Sequence, residues 1–533
     1  MRAATWLLRA LAAEGVRHVF LVPAAPGHAF PFDADTDAGV VPIAAASEAG
    51  AAMMADGHAR ASGRFGVCLA EGGLGAAGLV APAATARADG APVLFVTWGE
   101  EKAAWPGVPD EAALLAPVTA ASLAVAEPGR LGPGLRASLT RMLAGPKAPV
   151  HLRLSPRARL AEGAAPWTPL DPSAYAPRFV DAQAVERLWR VLVPEGGGPA
   201  PTRLAVLAGA GVGKSEAAKQ LLAFAELFEI PVATTLGAKG VFPEDHRLSL
   251  GVPGRDGAGL AGRLLCCDDL EGLVLLGCSL AGADIPARVL AQVDVDPAVP
   301  GRDVSVDVPV VGDCREALSL MMEGGSARIN RLRAGNQARA AWLRRIGARG
   351  PAGGEGAAVP GVAAPLEPAG VVAALRRALP RQGCLAVDAG AVRDAAARCF
   401  AAFAPRTFFA ATGRAPEGWA IAAAAGIKAA LPDRPVACLT DASGMLGRGL
   451  EVATAVRHGL RVVYVVVNAQ APGQAWDGAP AAMPPCDFAA LGRALGARGL
   501  AVERGEELDR TLALALAGEG PCVVDVRRGR DPA

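Results

Sequence analysis

Aromatic side chains are scarce in this chain: its 533 residues include 14 Phe, 8 Trp and 2 Tyr, or 5% in all. That argues against an aromatic-lined sheet, and the abundance of Ala and Gly fits close-packed layers of helix and strand. An excess of one charge is also missing. Lys and Arg number 53 against 52 Asp and Glu, a formal net charge of +1. Neither a polybasic nucleic-acid surface nor an acidic tail is indicated. The ten cysteines are scattered and no C-x-x-C occurs. Only Cys266 and Cys267 are close, and adjacent residues cannot easily pair or share a metal, so structural zinc and a disulfide framework are not expected. The longest apolar runs are broken by Gly, Pro or charge, so no membrane-spanning helix is expected. The opening MRAATWLLRALAAEGVRHVF has the look of a signal peptide. However, its apolar residues follow helical spacing, Glu14 and Arg17 interrupt it, and a β-rich run follows. It reads as the first helix of a fold, with a cytoplasmic location as the default.

Apolar material is ample at 52%, and the length suits about three domains. Three blocks each alternate short β-rich runs with helical stretches, the pattern of parallel sheets covered by helices. The first block, 1–165, places strands at HVFLV (18–22), VVPIA (40–44), GVCLA (66–70), PVLFVTW (92–98) and PVHLRL (149–154). A Pro-rich stretch, 161–178, reads as a linker. The second block, 181–335, places them at RLAVLAG (203–209), IPVATT (230–235), GLVLLG (272–277), AQVDVD (291–296) and VPVVG (308–312). A low-complexity linker, 347–368, follows. The third block, 368–530, has CLAVDAG (384–390), RTFFAA (406–411), PVACLTD (435–441), RVVYVVVN (461–468) and PCVVDVRR (521–528). The first and third blocks match in size and layout.

Within the first block, Glu48 follows an apolar run, opens an Ala- and Gly-rich helix and is followed by a second apolar run (AASEAGAAMMADGHARASGRFGVCLA, 45–70). The plain reading is an acid favoured by the dipole of the helix it opens. The segment also resembles the cofactor-activating segment of thiamine diphosphate (ThDP) enzymes of the acetohydroxyacid (acetolactate) synthase and 2-oxo acid decarboxylase type. The resemblance covers essentially the whole chain, with further landmarks at 91–100, 230–246 and 487–499. It implies an α/β protein of three domains, pyrimidine-binding (1–165), central and Rossmann-like (181–335), and diphosphate-binding (368–530). In that family the Glu at the position of Glu48 hydrogen-bonds the cofactor's aminopyrimidine ring.

A second constellation is LTDASGMLGRGLEVATAVRHGLRVVYVVVNAQ (439–470). Asp441 ends one apolar strand and Asn468 the next. Ligands of open parallel sheets bind beyond the carboxyl ends of strands, and Mg²⁺ is usually held by one or two protein oxygens plus phosphate. The alternative is an ordinary strand-end Asp capping the next helix. The resembled family has Gly-Asp-Gly followed by Asn-Asn at this spacing. On that basis Asp441 and Asn468 would hold the metal, with the Gln470 carbonyl as a third ligand. Here the triplet is Thr440-Asp441-Ala442 and the pair is Asn468-Ala469, so Asn468 matches the first or the second Asn depending on where the alignment is anchored. Thr and Ala add a Cβ where glycine would let a diphosphate approach.

In the third block, ATGRAPEGWAIAAAAG (411–426) matches the family stretch under the thiazolium ring. The family's bulky apolar wedge falls at Glu417, or at Pro416 in the next register. The first-block stretch that is Thr-Ser-Gly-Pro-Gly in the family is Glu71-Gly72-Gly73-Leu74-Gly75, and the usual Asn is Gly78. By resemblance the cofactor-binding set is Pro23, Glu48, Gly73, Gly390, Ala415, Glu417, Asp441, Ala442, Ser443 and Asn468, and the catalytic set is Glu48 with His28. His28 is equally readable as a surface loop histidine. The chemistry implied is attack of a C2 carbanion on a 2-oxo acid or related carbonyl, with an enamine following. The family builds each site between subunits, which implies a homodimer or tetramer acting on a small carbonyl substrate, with no nucleic-acid or membrane partner.

GAGVGKSEAA (209–218) is one Gly short of a phosphate loop, because position 208 is Ala, and it misses the dinucleotide glycine pattern. The stretch at 275–286 lacks the family's flavin-site Arg-Phe-Asp-Asp, so no FAD is expected. The rival reading is a ThDP-fold protein that has lost or switched its cofactor and serves a binding or regulatory role.

Overall fold

The alternation of apolar runs and helical stretches folds into three sheets of six strands. This computed structural model describes residues 2–23, 39–98, 107, 109–160, 166–175, 178–194, 201–253, 260–265, 268–279, 285–345, 364–413, 415–469 and 486–528. The first sheet contains β1 (His18–Leu21), β2 (Val41–Ala44), β3 (Gly66–Glu71), β4 (Val93–Trp98), β5 (Ser122–Val125) and β6 (Val150–Leu154). The second contains β7 (Leu204–Ala208), β8 (Val232–Thr234), β9 (Ser249–Gly251), β10 (Gly272–Leu276), β11 (Leu290–Asp294) and β12 (Val308–Val311). The third contains β13 (Cys384–Val387), β14 (Phe408–Ala410), β15 (Val436–Asp441), β16 (Val462–Ala469), β17 (Arg498–Val502) and β18 (Cys522–Arg528).

Their orders are β2-β1-β3-β4-β6-β5, β12-β11-β10-β7-β8-β9 and β14-β13-β15-β16-β18-β17. The first and third sheets therefore share one topology. The second has the strand order of dinucleotide-binding folds. Neighbours run parallel through the first two sheets and along β13-β15-β16-β18-β17. Three strands went unread in the sequence: β5, β9 and β17, each the last strand at one edge of its sheet.

The chain forms two compact units. One joins Met1–Pro177, Ala364–Val392 and Phe409–Ala533; the other joins Arg178–Ala363 and Arg393–Phe408. In the first unit, five helices bear on the site: α1 (Glu48–Ser62), α2 (Leu74–Gly78), α3 (Trp419–Ala430), α4 (Ala442–Arg448) and α5 (Glu451–Arg457). α1 and α3 cross in direct backbone contact. A Cβ on Gly57 would lie 2.3 Å from the Ala423 oxygen, and one on Gly426 would lie 1.9 Å from the Met54 oxygen. The small residues of both helices are thus a packing requirement. A polar lock flanks the crossing: Trp419 Nε1 donates to Asp56 at 2.9 Å, and Arg60 reaches Asp56 at 2.7 Å and Asp89 at 2.8 Å. Losing one partner of a buried ion pair is strongly destabilising, so the crossing depends on Asp56 and Arg60 being kept together.

The described part of the stretch expected to be a linker is pinned to the first block. Trp167 Nε1 and the Tyr175 hydroxyl both donate to Glu14, at 3.0 and 2.6 Å, and Arg136 lies 4.1 Å over the Trp167 ring. In the second unit, the glycines of 209–214 serve close packing. A Cβ on Gly209 would lie 2.2 Å from Cys278 Cβ, and one on Gly211 would lie 2.6 Å from Gly277 Cα.

Candidate active site

In the third sheet the chain leaves β13 towards β14 and returns to β15 on the other side, which makes the carboxyl ends of β13 and β15 a topological switch point. Asp388 directly follows β13 and Asp441 ends β15. Asp441 Oδ1 caps α4, accepting from Gly444 N and Ser443 Oγ at 3.0 Å each. Its Oδ2 carries no hydrogen bond among the described residues. Gly390, at φ +88, comes close: a Cβ there would sit 3.8 Å from Asp441 Oδ2. Asp388 accepts from Thr440 Oγ1 at 2.9 Å and from Ala389 N at 3.2 Å. Burial, reinforced by the charge of Asp441, pushes its carboxyl up to about 6. Thr440 is fully buried with its hydroxyl on Asp388. Ala442 and Ser443 are half-buried at the start of α4.

Asn468 follows Val467, the residue opposite Asp441 across β15 and β16. Its Nδ2 donates to Asp525 Oδ1 and to the Cys486 oxygen, both at 2.9 Å. Carbonyl and carboxylate oxygens only accept, so these two bonds fix which end of the amide is nitrogen. The Asn468 Oδ1 is left without a hydrogen bond among the described residues. Asp525 is itself held: its Oδ2 accepts from Phe488 N at 3.1 Å and from Arg527 Nε at 2.9 Å.

In the first sheet, Ser47 caps α1 by accepting from Gly50 N at 3.0 Å. Glu48 is the first residue of the helix and half-buried. Gly75 and Gly78 of α2 face it. A Cβ on Gly75 would be 3.8 Å from Glu48 Oε1, and one on Gly78 would be 3.0 Å from Glu48 Cβ. Gly73 starts this turn at φ +64, in the left-handed region that suits glycine. Cys68, buried on β3, is near enough that Glu48 adds to the upward push burial gives its thiol. Pro23 is exposed just past β1.

Between β14 and α3, Ala415 is half-buried and Glu417 exposed. Gly418, at φ +76, caps α3 where a Cβ would lie 2.5 Å from Arg448 Cβ. Loop 415–418 is thereby fitted against α4; of the two residues matched to the wedge, Glu417 is exposed and Pro416 half-buried. His28 and Gln470 lie outside the described residues. Among the described residues no hydrogen bond or ion pair joins Glu48 to Asp441 or Asn468. The sequence reading passed over Asp388, Asp525 and Glu451. The first carried a usable signal, an acid directly after a buried strand.

Comparison with known proteins fits this geometry. The N-terminal TPP-binding domain of thiamine pyrophosphate enzymes matches residues 1–113, their central domain matches 201–321, and their C-terminal TPP-binding domain matches 388–526. The chain is 31% identical to a probable acetolactate synthase large subunit of Methanocaldococcus jannaschii, over 90% of this chain and 82% of that one. It is 28% identical to a glyoxylate carboligase of Escherichia coli O157:H7, over 88% and 79%. An X-ray structure of a candidate thiamin diphosphate-dependent enzyme from Mycobacterium smegmatis superposes with a TM-score of 0.80 at 20% identity, covering 99% of each chain. The chain belongs to the thiamine pyrophosphate-dependent enzyme family, as a divergent member related to the acetolactate synthases.

Proposed function

We propose that this enzyme is a ThDP- and Mg²⁺-dependent carboligase or lyase that acts on a 2-oxo acid or a related carbonyl donor. Its pyrimidine-binding, central and diphosphate-binding domains would be 1–165, 181–335 and 368–530. One observation carries the reading. On adjacent strands, Asp441 Oδ2 and Asn468 Oδ1 are both left without protein partners among the described residues, while the other polar atom of each side chain is tied down. Two uncommitted oxygens at a strand-end switch point suit a hard cation that takes its remaining ligands from phosphate and water. Gly390 beside Asp441 leaves room there, and the Thr440 hydroxyl is taken up by Asp388.

When bound, ThDP supplies an electron sink for making and breaking bonds beside a carbonyl carbon. The protein's share is placement and proton handling. Asp441 and Asn468 would hold the metal, with Gln470 as a further ligand. Gly73, Gly390, Ala415, Glu417, Ala442, Ser443 and Pro23 would line the cofactor's path. Glu48 would hold the proton at the pyrimidine nitrogen, and His28 would face the substrate. No FAD is assigned. Glu48→Gln should cut turnover of the purified enzyme by about 10²–10⁴-fold, the range of a lost acid–base group. Wild-type turnover in that variant would overturn the assignment.

A homo-oligomer is part of the proposal. Leu74 beside Gly73, and Leu446 and Leu450 after Asp441, are 78%, 48% and 65% exposed. Apolar side chains this open beside both halves of the site suit burial by a second copy. Among the described residues no helix is long and apolar enough to cross a membrane, and we assign a cytoplasmic location. The exposed carboxylate of Glu417 at the wedge position is the observation that favours the rival, non-catalytic reading.

A further inference from the structure

We propose that Glu451 is a positioning residue for Glu48, an inference that rests on the role given to Glu48 above. Glu451 opens α5 and is 2% exposed. Its Oε1 accepts from Ser47 Oγ at 2.7 Å; its Oε2 accepts from Ala46 N at 3.1 Å and from Thr454 Oγ1 at 2.9 Å. A carboxylate that served only its own helix would need none but the last of these. Two of its three donors instead belong to the entry of α1, more than 400 residues away in sequence. A buried carboxylate is tolerated when its oxygens are satisfied, and the positive end of the 15-residue α1 favours it there.

The grip extends in both directions. Ser47 passes it inward by accepting from Gly50 N at 3.0 Å. Gly50 has no room for a side chain, since a Cβ would lie 1.8 Å from Glu451 Oε1. At the far end of α5, His458 Nε2 accepts from Ala44 N at 2.8 Å. Residues 44–50 are therefore held from one side, and Glu48 lies between the gripped Ser47 and Gly50. The run 441–458 carries both the Asp441 cap and this clamp, so one continuous piece of backbone sets the candidate metal ligand and the helix that bears Glu48.

Two variants of the full-length protein test this. Glu451→Gln keeps the size but removes the charge, and its NH₂ must face either the Ala46 N–H or the Ser47 hydroxyl, so at least one bond that the carboxylate accepts from the entry of α1 is lost. Ser47→Gly deletes the hydroxyl at a helix cap where glycine is well tolerated, so it remains informative if the first variant folds poorly. Amide hydrogen exchange over residues 44–52 is measured without cofactor. Exchange of the cofactor's C2 proton for deuterium, without substrate, and calorimetric affinity for ThDP with Mg²⁺ are measured on the loaded protein. The expected result is amide exchange faster by about tenfold or more in both variants, as for loss of a charge-assisted hydrogen bond. C2 exchange should be slower by about 10²-fold, the cost of a roughly 1 Å misplacement, with affinity within about threefold of wild type. Unchanged amide exchange overturns the clamp, whether or not the protein binds ThDP. Faster amide exchange with wild-type C2 exchange overturns the positioning role. Wild-type C2 exchange in Glu48→Gln overturns the reading of Glu48 instead, which separates the two failures.

Discussion

Replacing Asp525 by Asn is a sharp probe of the metal end of the site. The wild-type carboxylate accepts on both sides: Oδ1 from Asn468 Nδ2 at 2.9 Å, Oδ2 from Phe488 N at 3.1 Å and Arg527 Nε at 2.9 Å. An amide cannot satisfy both sides. With its NH₂ towards Asn468 it opposes a donor to a donor, and with its NH₂ towards Phe488 it does the same there. Either Asn468 loses the bond that fixes its orientation or Phe488 N, at the start of the helix Phe488–Ala494, loses its own. A hydrogen bond to a charged group contributes about 1.5–3 kcal/mol. If that falls wholly on the orientation of Asn468, the affinity for Mg²⁺ with ThDP drops about 10- to 150-fold. Calorimetric titration of the folded variant measures this. A dissociation constant within twofold of wild type would refute the claim that Asp525 orients Asn468.

Gly426→Ala drives a Cβ to within 1.9 Å of the Met54 oxygen. The oxygen is backbone and the Cβ is fixed rigidly to its own backbone, so α1 and α3 must part, and the loss should be about 1–3 kcal/mol or more in urea unfolding, as for overpacking. An unchanged midpoint would contradict the backbone contact. His58 and His151 are each pushed down to about 4, chiefly by burial. Their neutral folded forms contribute stability that is fully present above the unfolded value near 6.5. It is lost as pH falls from about 6.5 towards 4, by about 3 kcal/mol for each group. Urea unfolding at several pH values should show that slope, and His58→Leu should remove about half of it. A stability flat between pH 7 and 5 would count against these burials.

Five of the six strands in each sheet were legible as short apolar runs. The three that were not lie at sheet edges, where one or both faces stay open and the apolar signal thins. β5 has one fully buried residue, β9 has three residues in all, and β17 is largely half-exposed. Asp441 and Asn468 were legible because a polar residue that ends an apolar run is conspicuous. Thr440 read as an added Cβ beside Asp441; the partner of its hydroxyl, Asp388, lies 52 residues away in sequence and was not legible. Asp525 and Glu451 were not legible in the same way, because their meaning lies in partners 57 and 404 residues away. The stretch 166–175 read as a linker from its prolines, whereas Trp167 and Tyr175 bind it to Glu14.

Calorimetric titration of the purified protein with ThDP, with and without Mg²⁺ and with Asp441→Ala alongside, tests the central claim most directly. The account predicts tight, metal-dependent binding that is lost in Asp441→Ala. No binding at millimolar cofactor would contradict it and leave the family's fold serving another purpose.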